Sequence, residues 1–178
     1  MSLAARAKRI RAVVLDIDGV LTDGRVGYGP VPGEIKFFDV RDGHAIKLLL
    51  RSGLRVGVLS GRASEANRQR AAELGLSFVF EGEKDKAAGF ARLLEQEHLA
   101  PEECLVVGDD VMDIPVMRQG GVAVAVADAV PEAAAVADWQ TRAGGGRGAV
   151  REVAVWLLKI QGNWETVMAR YTKTESQA

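Results

Sequence analysis

Short apolar runs alternate with longer amphipathic segments along most of this chain. Continuous aliphatic runs are typical of strands that are covered on both faces, as in a parallel sheet. We predict strands at 12–15, 55–59, 78–80, 104–107 and 122–126, and helices at 43–52, 63–74, 85–98, 111–118, 131–136 and 148–161. Strands separated by helices indicate βαβ units, so we predict an α/β fold with a doubly wound, Rossmann-like parallel sheet.

One segment breaks this alternation. Two short strand-like pieces flank the turn sequence 30–33, which contains two prolines and a glycine. We therefore predict a β-hairpin over 24–40 that projects from the sheet. It would expose Ile35 and either Phe37 or Phe38, and two explanations stay open: a contact with another subunit, or packing on its own domain.

The composition is that of an ordinary globular protein, because 48% of the 178 residues are hydrophobic and 26% are charged. We predict one domain over 1–178, with a polar tail at 162–178. A net charge of −1 gives no general attraction to nucleic acid or anionic membranes, so we expect neither as a partner. The single Cys104 fits a reducing compartment, and the first apolar run is too short for a signal or membrane span, so we expect a cytoplasmic protein.

Candidate chemistry begins where the first strand ends. Asp16-Ile17-Asp18-Gly19 directly follows an apolar run, and ligands of open α/β sheets bind beyond the carboxyl ends of such strands. The turn at Gly19 is expected to direct the two carboxylates apart. Such a pair can hold a cation and perform covalent or acid–base chemistry; the alternative is an acidic loop without function.

The next strands also end in polar groups. Ser60 follows the second strand and could bind a phosphate oxygen, or it could cap the helix predicted at 63–74. Lys86 begins the helix after the third strand and could neutralise a phosphate, or it could lie on a solvated helix face. Each residue alone leaves both interpretations open.

An acidic cluster follows the fourth strand. Asp109, Asp110 and Asp113 repel one another unless a cation lies among them. Together with Asp16 and Asp18 they favour a Mg²⁺ site, because Mg²⁺ prefers oxygen ligands, whereas Zn²⁺ would call for histidine or cysteine. For Asp110 the alternative is a favourable charge at a helix N-terminus.

A carboxylate pair, a hydroxyl, a lysine and an acidic cluster thus follow successive strands, and in this order they resemble the four motifs of the haloacid dehalogenase superfamily. The resemblance implies that Asp16 attacks phosphorus and that Asp18 acts as general acid and base. It implies that Ser60 and Lys86 bind the phosphoryl oxygens. A dehalogenase would not need the second aspartate, so we expect a phosphatase.

The same resemblance implies a Mg²⁺ site formed by the Asp16 carboxylate, the backbone carbonyl of Asp18 and the Asp109 carboxylate. Asp110 and Asp113 would support these ligands. The intervals from Asp18 to Ser60 and from Ser60 to Lys86 hold only a hairpin, two helices and a strand, which leaves no room for a cap domain. The chain therefore resembles the capless members, in which a neighbouring subunit would exclude water from the site.

A narrower resemblance is to the family of 3-deoxy-D-manno-octulosonate 8-phosphate phosphatases, which are capless tetramers. It rests on the stretches 16–24, 40–47, 59–62, 108–110 and 145–152. The resemblance implies substrate contacts from Asp18, Asp39, Val40, Arg41, Asp42, Gly43, Lys47, Arg62, Arg70 and Lys86. It also implies a homotetramer whose subunits complete one another's sites, and a C-terminal tail near an adjacent site.

The predicted substrate is a small sugar acid phosphate of lipopolysaccharide biosynthesis. Its carboxylate needs cations beyond those that bind phosphate, and Lys47, Arg62 and Arg70 could supply them. Arg70 could instead be an exposed helix residue, and Arg41 could pair with a neighbouring aspartate. Other functions that stay open are a phosphatase for a nonulosonate 9-phosphate, a broad phosphatase for small metabolites, and a non-enzymatic Mg²⁺-binding assembly module.

Overall fold

The computed structural model describes residues 1–29 and 33–172, so residues 30–32 of the predicted hairpin turn at 30–33 and the tail end at 173–178 lie outside it. Its strands are β1 (Ala12–Leu15), β2 (Gly27–Tyr28), β3 (Glu34–Ile35), β4 (Arg55–Ser60), β5 (Phe78–Glu81), β6 (Cys104–Gly108), β7 (Val122–Ala125) and β8 (Trp139–Gln140). Its α-helices are α1 (Leu3–Ala7), α2 (Val40–Arg51), α3 (Glu65–Leu74), α4 (Lys86–Glu97), α5 (Ile114–Met117), α6 (Pro131–Ala134), α7 (Ala149–Ile160) and α8 (Trp164–Thr172). No helix within these ranges is long and apolar enough to cross a membrane.

Six strands form one parallel sheet in the order β5-β4-β1-β6-β7-β8. Val14 of β1 lies between Gly57 of β4 and Val106 of β6. The chain winds outward from β1 to β5 and then returns to β6, so the strand order reverses between β1 and β6. Ligands of such sheets bind beyond the carboxyl ends of the strands at this reversal. The predicted α/β fold with a doubly wound sheet is confirmed.

Both faces of the sheet are buried, which explains the unbroken apolar runs. On β1, Val13 and Leu15 pack with the buried residues of α2 and α7, whereas Ala12 and Val14 pack with those of α4 and α5. All four residues are at most 1% exposed. Removing a buried aliphatic side chain from such a core typically costs about 2–5 kcal/mol of stability. The well-packed β1 is therefore a rigid support for the first catalytic candidates, which directly follow it.

The helix boundaries differ from the prediction at two functional places. Helix α2 begins at Val40, three residues earlier than predicted, because Asp39 caps it by accepting a hydrogen bond from the Arg41 amide at 2.6 Å. The helix predicted at 111–118 is only the single turn of α5. The sequence pattern also missed α1, β8 and α8, of which α1 and β8 are too short for a clear period.

The hairpin is shorter than predicted, since β2 and β3 pair over two residues each, with Gly27 opposite Ile35. Tyr28 is 77% exposed and Phe37 is 79% exposed, while Phe38 packs against the core. This decides between the two phenylalanines. The hairpin therefore presents aromatic side chains to the surroundings of the chain.

Aromatic residues also pack at the β8 edge of the six-stranded sheet. Trp139 of β8 stacks on Trp156 of α7, with ring centroids 5.2 Å apart. Trp164 of α8 packs against the same core, and Val167 of α8 is buried. The first part of the predicted tail is therefore a helix that docks on the domain.

Candidate active site

The carboxyl ends of β1, β4 and β6 and the first turn of α4 surround a cleft of about 160 Å³. Its lining residues are Asp16, Asp18, Ser60, Gly61, Arg62, Lys86, Asp110 and Met112. Because parallel strands bring their carboxyl ends to one edge, residues from distant parts of the sequence meet here. The structure thus brings together the four residues predicted to be catalytic.

Lys86 lies between two carboxylates at the base of the cleft. Its Nζ is 2.9 Å from Asp16 Oδ1 and 2.6 Å from Asp113 Oδ1, and all three residues are buried. Burial alone would lower the pKa of Lys86, but the two carboxylates together raise it above its ordinary value. The lysine therefore stays charged, and the alternative of a solvated helix face is wrong for this residue.

Asp113 organises the loop that follows β6. Its Oδ2 accepts hydrogen bonds from the backbone amides of Asp109 at 3.0 Å and Asp110 at 3.3 Å. These bonds hold the segment as a turn, which explains why helix α5 begins only after it. The exposed Asp110 carboxylate accepts from the Val111 amide at 2.6 Å, and the helix cap position belongs to Asp113.

The carboxylates of Asp16, Asp109 and Asp113 have oxygen atoms within 4.8 Å of one another. Burial, followed by the charge of Asp113, raises the pKa of Asp16 to about 6. Burial, followed by Asp113 and Asp16, raises the pKa of Asp109 to about 8. Asp109 Oδ1 is buried without a hydrogen-bond partner among the described residues. Three carboxylates against the single ammonium of Lys86 leave an excess of negative charge that suits a further cation.

Glycine 19 makes room for this cluster. A β-carbon at Gly19 would lie 2.0 Å from Asp109 Oδ2, and its φ of +94° is one that side chains rarely adopt. The glycine-rich loop before α7 presses on the same turn, because a β-carbon at Gly145 would lie 1.7 Å from the Gly19 carbonyl oxygen. This loop therefore supports the turn after β1.

Asp18 has different partners from Asp16. Its Oδ1 lies 2.6 Å from Lys36 Nζ, and its Oδ2 lies 3.8 Å from Arg62 Nε. The turn therefore directs the two carboxylates to separate cations, as expected. Sequence reasoning missed Lys36, although the alternation in the segment just after β3 carries the signal: Lys36 is buried and Phe37 is exposed.

Ser60 is buried at the end of β4, and its Oγ accepts a hydrogen bond from the Arg62 amide at 3.3 Å. The cap of helix α3 is Ser64, whose side chain accepts from the Asn67 amide at 3.2 Å. The interpretation of Ser60 as a helix cap is therefore wrong. Its hydroxyl keeps a donor hydrogen for a ligand in the cleft.

The predicted substrate contacts at 39–43 form the start of α2 rather than a loop. Asp42 is buried, and its carboxylate accepts hydrogen bonds from the amides of Gly148 at 3.1 Å and Arg151 at 2.8 Å. Burial raises the pKa of Asp42, and these two amides partly oppose that shift. This side chain ties α2 to the start of α7 and does not line the cleft. Val40, in contrast, is 81% exposed.

Other predicted substrate contacts are engaged within the chain. Arg41 pairs with Asp39 at 2.8 Å, and its guanidinium holds the pKa of that carboxyl below its usual range. Arg70 donates to the Asp39 carbonyl at 3.2 Å, and it also crowds the β-position of Gly43. Lys47 donates to a backbone carbonyl of α3 at 2.9 Å. Among the described residues, the cleft is lined by two of the predicted basic substrate contacts, Arg62 and Lys86.

Comparison with known proteins gives one consistent family. The family model of haloacid dehalogenase-like hydrolases matches residues 33–121. The 3-deoxy-D-manno-octulosonate 8-phosphate phosphatase of Escherichia coli K12 is 46% identical over 158 residues, which are 89% of this chain and 84% of the relative. The enzyme of the same name from Yersinia pestis is 41% identical over 90% of this chain and 86% of the relative.

Solved structures agree with this result. The 3-deoxy-D-manno-octulosonate 8-phosphate phosphatase of Moraxella catarrhalis, in complex with magnesium, phosphate and KDO, has a TM-score of 0.92 and 34% identity, covering 95% of this chain and 97% of that chain. The cobalt-bound enzyme of Haemophilus influenzae has a TM-score of 0.88 and 37% identity, covering 94% and 99%. The chain belongs to the haloacid dehalogenase-like hydrolases and, within them, to the family of these 3-deoxy-D-manno-octulosonate 8-phosphate phosphatases.

Proposed function

We propose that this chain is a Mg²⁺-dependent phosphomonoesterase that hydrolyses 3-deoxy-D-manno-octulosonate 8-phosphate to the free sugar acid and phosphate. The observation that carries the proposal is the buried contact of Lys86 with Asp16 and Asp113 at the sheet reversal, beside Asp109. A nucleophilic carboxylate with a fixed ammonium beside it suits attack on a phosphoryl group. The names of the relatives above support the choice of substrate.

The residues present fit a Mg²⁺ ion. Asp16, Asp109 and the backbone carbonyl of Asp18 would hold it, all through oxygen, and Asp109 Oδ1 has no hydrogen-bond partner among the described residues. Asp113 binds the amides of the adjacent loop, which lets it orient Asp109. When bound, Mg²⁺ draws negative charge from the phosphoryl oxygens and from the nucleophile.

In the first step the Asp16 carboxylate attacks phosphorus, and the bond from phosphorus to the sugar oxygen breaks. Asp18 donates its proton to that leaving oxygen, so the sugar acid departs as an alcohol and Asp16 carries the phosphoryl group. Ser60 and Lys86 bind the phosphoryl oxygens while charge develops on them. Both side chains are buried at the base of the cleft, so they are already in place before the substrate binds.

In the second step water attacks phosphorus, and Asp18 accepts a proton from that water. The bond between phosphorus and the Asp16 oxygen breaks, which releases phosphate and restores both carboxyl groups to their starting states. The position of Asp18 on the same turn as Asp16, with different partners, suits this double role.

The substrate's carboxylate and hydroxyls are contacted by the outer residues, and among these Arg62 is the basic residue that lines the cleft. Asp39, Val40, Arg41, Lys47 and Arg70 take part from α2, its cap and α3. Asp42 and Gly43 support this surface from beneath, because both are buried. An arginine pairs with a carboxylate through two parallel hydrogen bonds, which favours sugar acids over neutral sugars.

We propose further that residues 1–178 work as one domain without a cap, as a homotetramer whose subunits cover one another's clefts. The exposed Tyr28, Ile35, Phe37 and Val40 support this arrangement, because apolar side chains at one hairpin and the adjacent helix start favour contact with another chain. We place the enzyme in the cytoplasm, which suits its single buried thiol, Cys104.

A substrate panel tests the proposed function. Purified protein with Mg²⁺ is assayed for phosphate release from the octulosonate 8-phosphate, a nonulosonate 9-phosphate and simple sugar phosphates. We expect the octulosonate to have the highest kcat/KM, by about tenfold or more, which corresponds to about 1.4 kcal/mol of selective binding. Equal values for all substrates would contradict the specific assignment but leave a broad phosphatase.

The covalent step has its own test. Asp16→Asn removes the nucleophile while nearly preserving its shape, so activity should fall on the order of 10⁴-fold or more. The matched control is Glu95→Gln, an exposed carboxylate on α4 outside the cleft, which should keep full activity. Acid quenching should trap a phosphoryl group on the parent and the control but not on Asp16→Asn. Activity that survives Asp16→Asn would contradict the mechanism.

A further inference from the structure

The Asp18 carboxylate lies between two cations of different character. The Lys36 ammonium is 2.6 Å from Asp18 Oδ1, and no part of the Lys36 side chain is exposed. The Arg62 guanidinium is 3.8 Å from Asp18 Oδ2, and its side chain is 47% exposed. Glu34 links the two cations, because it pairs with Arg62 and lies 3.7 Å from Lys36. Asp18 is therefore held closely at one oxygen and loosely at the other.

This asymmetry separates the roles of the two cations. Arg62 lines the cleft and can turn toward a ligand, as expected for a substrate contact. Lys36 cannot touch the substrate, because its side chain is enclosed. The extended segment that continues from β3 alternates in exposure, because Ile35 and Phe37 are exposed and Lys36 between them is buried. This alternation directs Lys36 inward as the hairpin segment's contact with the acid–base residue.

We infer that Lys36 is a positioning residue that fixes the orientation of Asp18 for proton transfer. This rests on the proposed function, in which Asp18 protonates the leaving oxygen and deprotonates water. By holding Oδ1, Lys36 leaves Oδ2 as the oxygen that gives and takes the proton. The alternative is that Lys36 only fastens the hairpin to the domain. In that case the ion pair between Glu34 and Arg62, which also joins the hairpin to the domain, would have the same effect on the reaction as Lys36.

The two reaction steps distinguish these roles. p-Nitrophenolate leaves from phosphorus without needing a proton, so its release does not depend on Asp18 as acid. The following attack of water still needs Asp18 as base. Stopped-flow measurement of p-nitrophenolate, with parallel measurement of phosphate, therefore separates the step that uses the position of Asp18 from the step that does not.

For Lys36→Met we expect the first p-nitrophenolate to be released within about threefold of the parent rate, and phosphate to be released about 10–100-fold more slowly. The variant then shows a burst of p-nitrophenolate equal to the enzyme concentration, with a phosphoryl group trapped on Asp16. With the sugar acid phosphate both steps slow, and no burst occurs. Lys36→Arg keeps a cation and should recover part of the phosphate release.

The control is Glu34→Gln, which loosens the hairpin but leaves Lys36 beside Asp18, and it should show no burst. Equal slowing of both steps in Lys36→Met, or the same behaviour in Glu34→Gln, would overturn the inference. Thermal unfolding of each variant checks folding, and Lys36→Arg provides the answer if Lys36→Met does not fold. The outcome is separable from the proposed function: an active Asp16→Asn would refute the mechanism, whereas failure of the Lys36 pattern alone would refute only the positioning role.

Discussion

The two sides of the cleft are built in different ways. Asp16 at the end of β1, Lys86 at the start of α4 and Asp113 at the cap of α5 form an enclosed set, in which each charge has a partner from the same chain. On the other side, Asp18 contacts Lys36 from the hairpin segment, which exposes Phe37, and the half-exposed Arg62 from the loop after β4. The contrast supports the proposal made above, in which one chain supplies the phosphoryl chemistry and a second chain completes the recognition of the sugar acid.

Breaking the enclosed side should have the largest effect. Lys86→Met removes the cation between two buried carboxylates, so we expect kcat to fall about 10²–10³-fold. The loss should be the same for every phosphomonoester, because this side contacts only the phosphoryl group. Steady-state assays with the sugar acid phosphate and with p-nitrophenyl phosphate measure it.

The matched control is Lys84→Met, which removes an exposed lysine two residues earlier and should keep the parent activity. Circular dichroism should confirm that both variants are folded, since an uncompensated buried carboxylate pair lowers stability. Equal activity of the two variants would contradict the role given to Lys86.

We call the part of the cleft around Asp18, Lys36 and Arg62 the open side. A substitution on the hairpin of this side should have a moderate effect on activity that depends on the substrate. Phe37→Ser removes an exposed aromatic side chain whose burial against another subunit would contribute about 1.5–3 kcal/mol. We expect the dissociation constant of the assembly to rise at least about tenfold. We also expect the KM for the sugar acid phosphate to rise more than kcat falls. Light scattering and steady-state kinetics measure the two effects.

Val79→Ser is the control, because Val79 is also an exposed apolar residue, 41% exposed, but lies on the edge strand β5. It should leave both the assembly and the KM unchanged. An assembly that resists Phe37→Ser, or that responds equally to Val79→Ser, would locate the contact elsewhere.

The smallest expected effect is on the melting temperature, and it tests whether the buried carboxylates of the enclosed side lower the stability of the folded chain. Burial and neighbouring carboxylates raise the pKa of Asp109 from 3.8 to about 8. The folded chain therefore holds a proton that the unfolded chain has lost, and stability falls as the pH rises between these values. In chelator, Asp109→Asn should raise the melting temperature by about 4 °C near pH 8, and by less near pH 5.

Differential scanning calorimetry at the two pH values measures this shift, and the same variant should lose its Mg²⁺-dependent activity. Glu95→Gln should change the melting temperature at neither pH. A shift for Asp109→Asn that is equal at both pH values would mean that its cause is not the buried charge.

The enclosed side could be predicted from the sequence because its chemistry follows the ends of strands. Once the apolar runs identify β1, β4 and β6, a parallel sheet necessarily brings Asp16, Ser60 and Asp109 to one edge. The same reasoning predicts a doubly wound parallel sheet. These features follow from the local alternation of apolar runs and amphipathic segments, which can be recognised without knowing any distant contact.

The open side was harder to predict because it depends on distant contacts. The Asp42 carboxylate accepts hydrogen bonds from two amides at the start of α7, and the nearer of these in sequence, Gly148, is 106 residues away. No local pattern distinguishes that use from a substrate contact. Lys36 was missed for a different reason. Its signal is local, but a lysine on a short hairpin is expected to be exposed to solvent, and only the structure shows that its side chain is enclosed.

The aromatic stack at the edge of the sheet has a spectroscopic consequence. All three tryptophans of the chain, Trp139, Trp156 and Trp164, belong to the packing of β8, α7 and α8, and none lines the cleft. Their fluorescence therefore reports whether this edge of the domain is folded, with no direct signal from the ligand in the cleft. A tryptophan introduced on the hairpin would emit in the same band, so the difference between that variant and the parent chain in matched titrations would follow subunit contact, while the parent signal follows domain integrity.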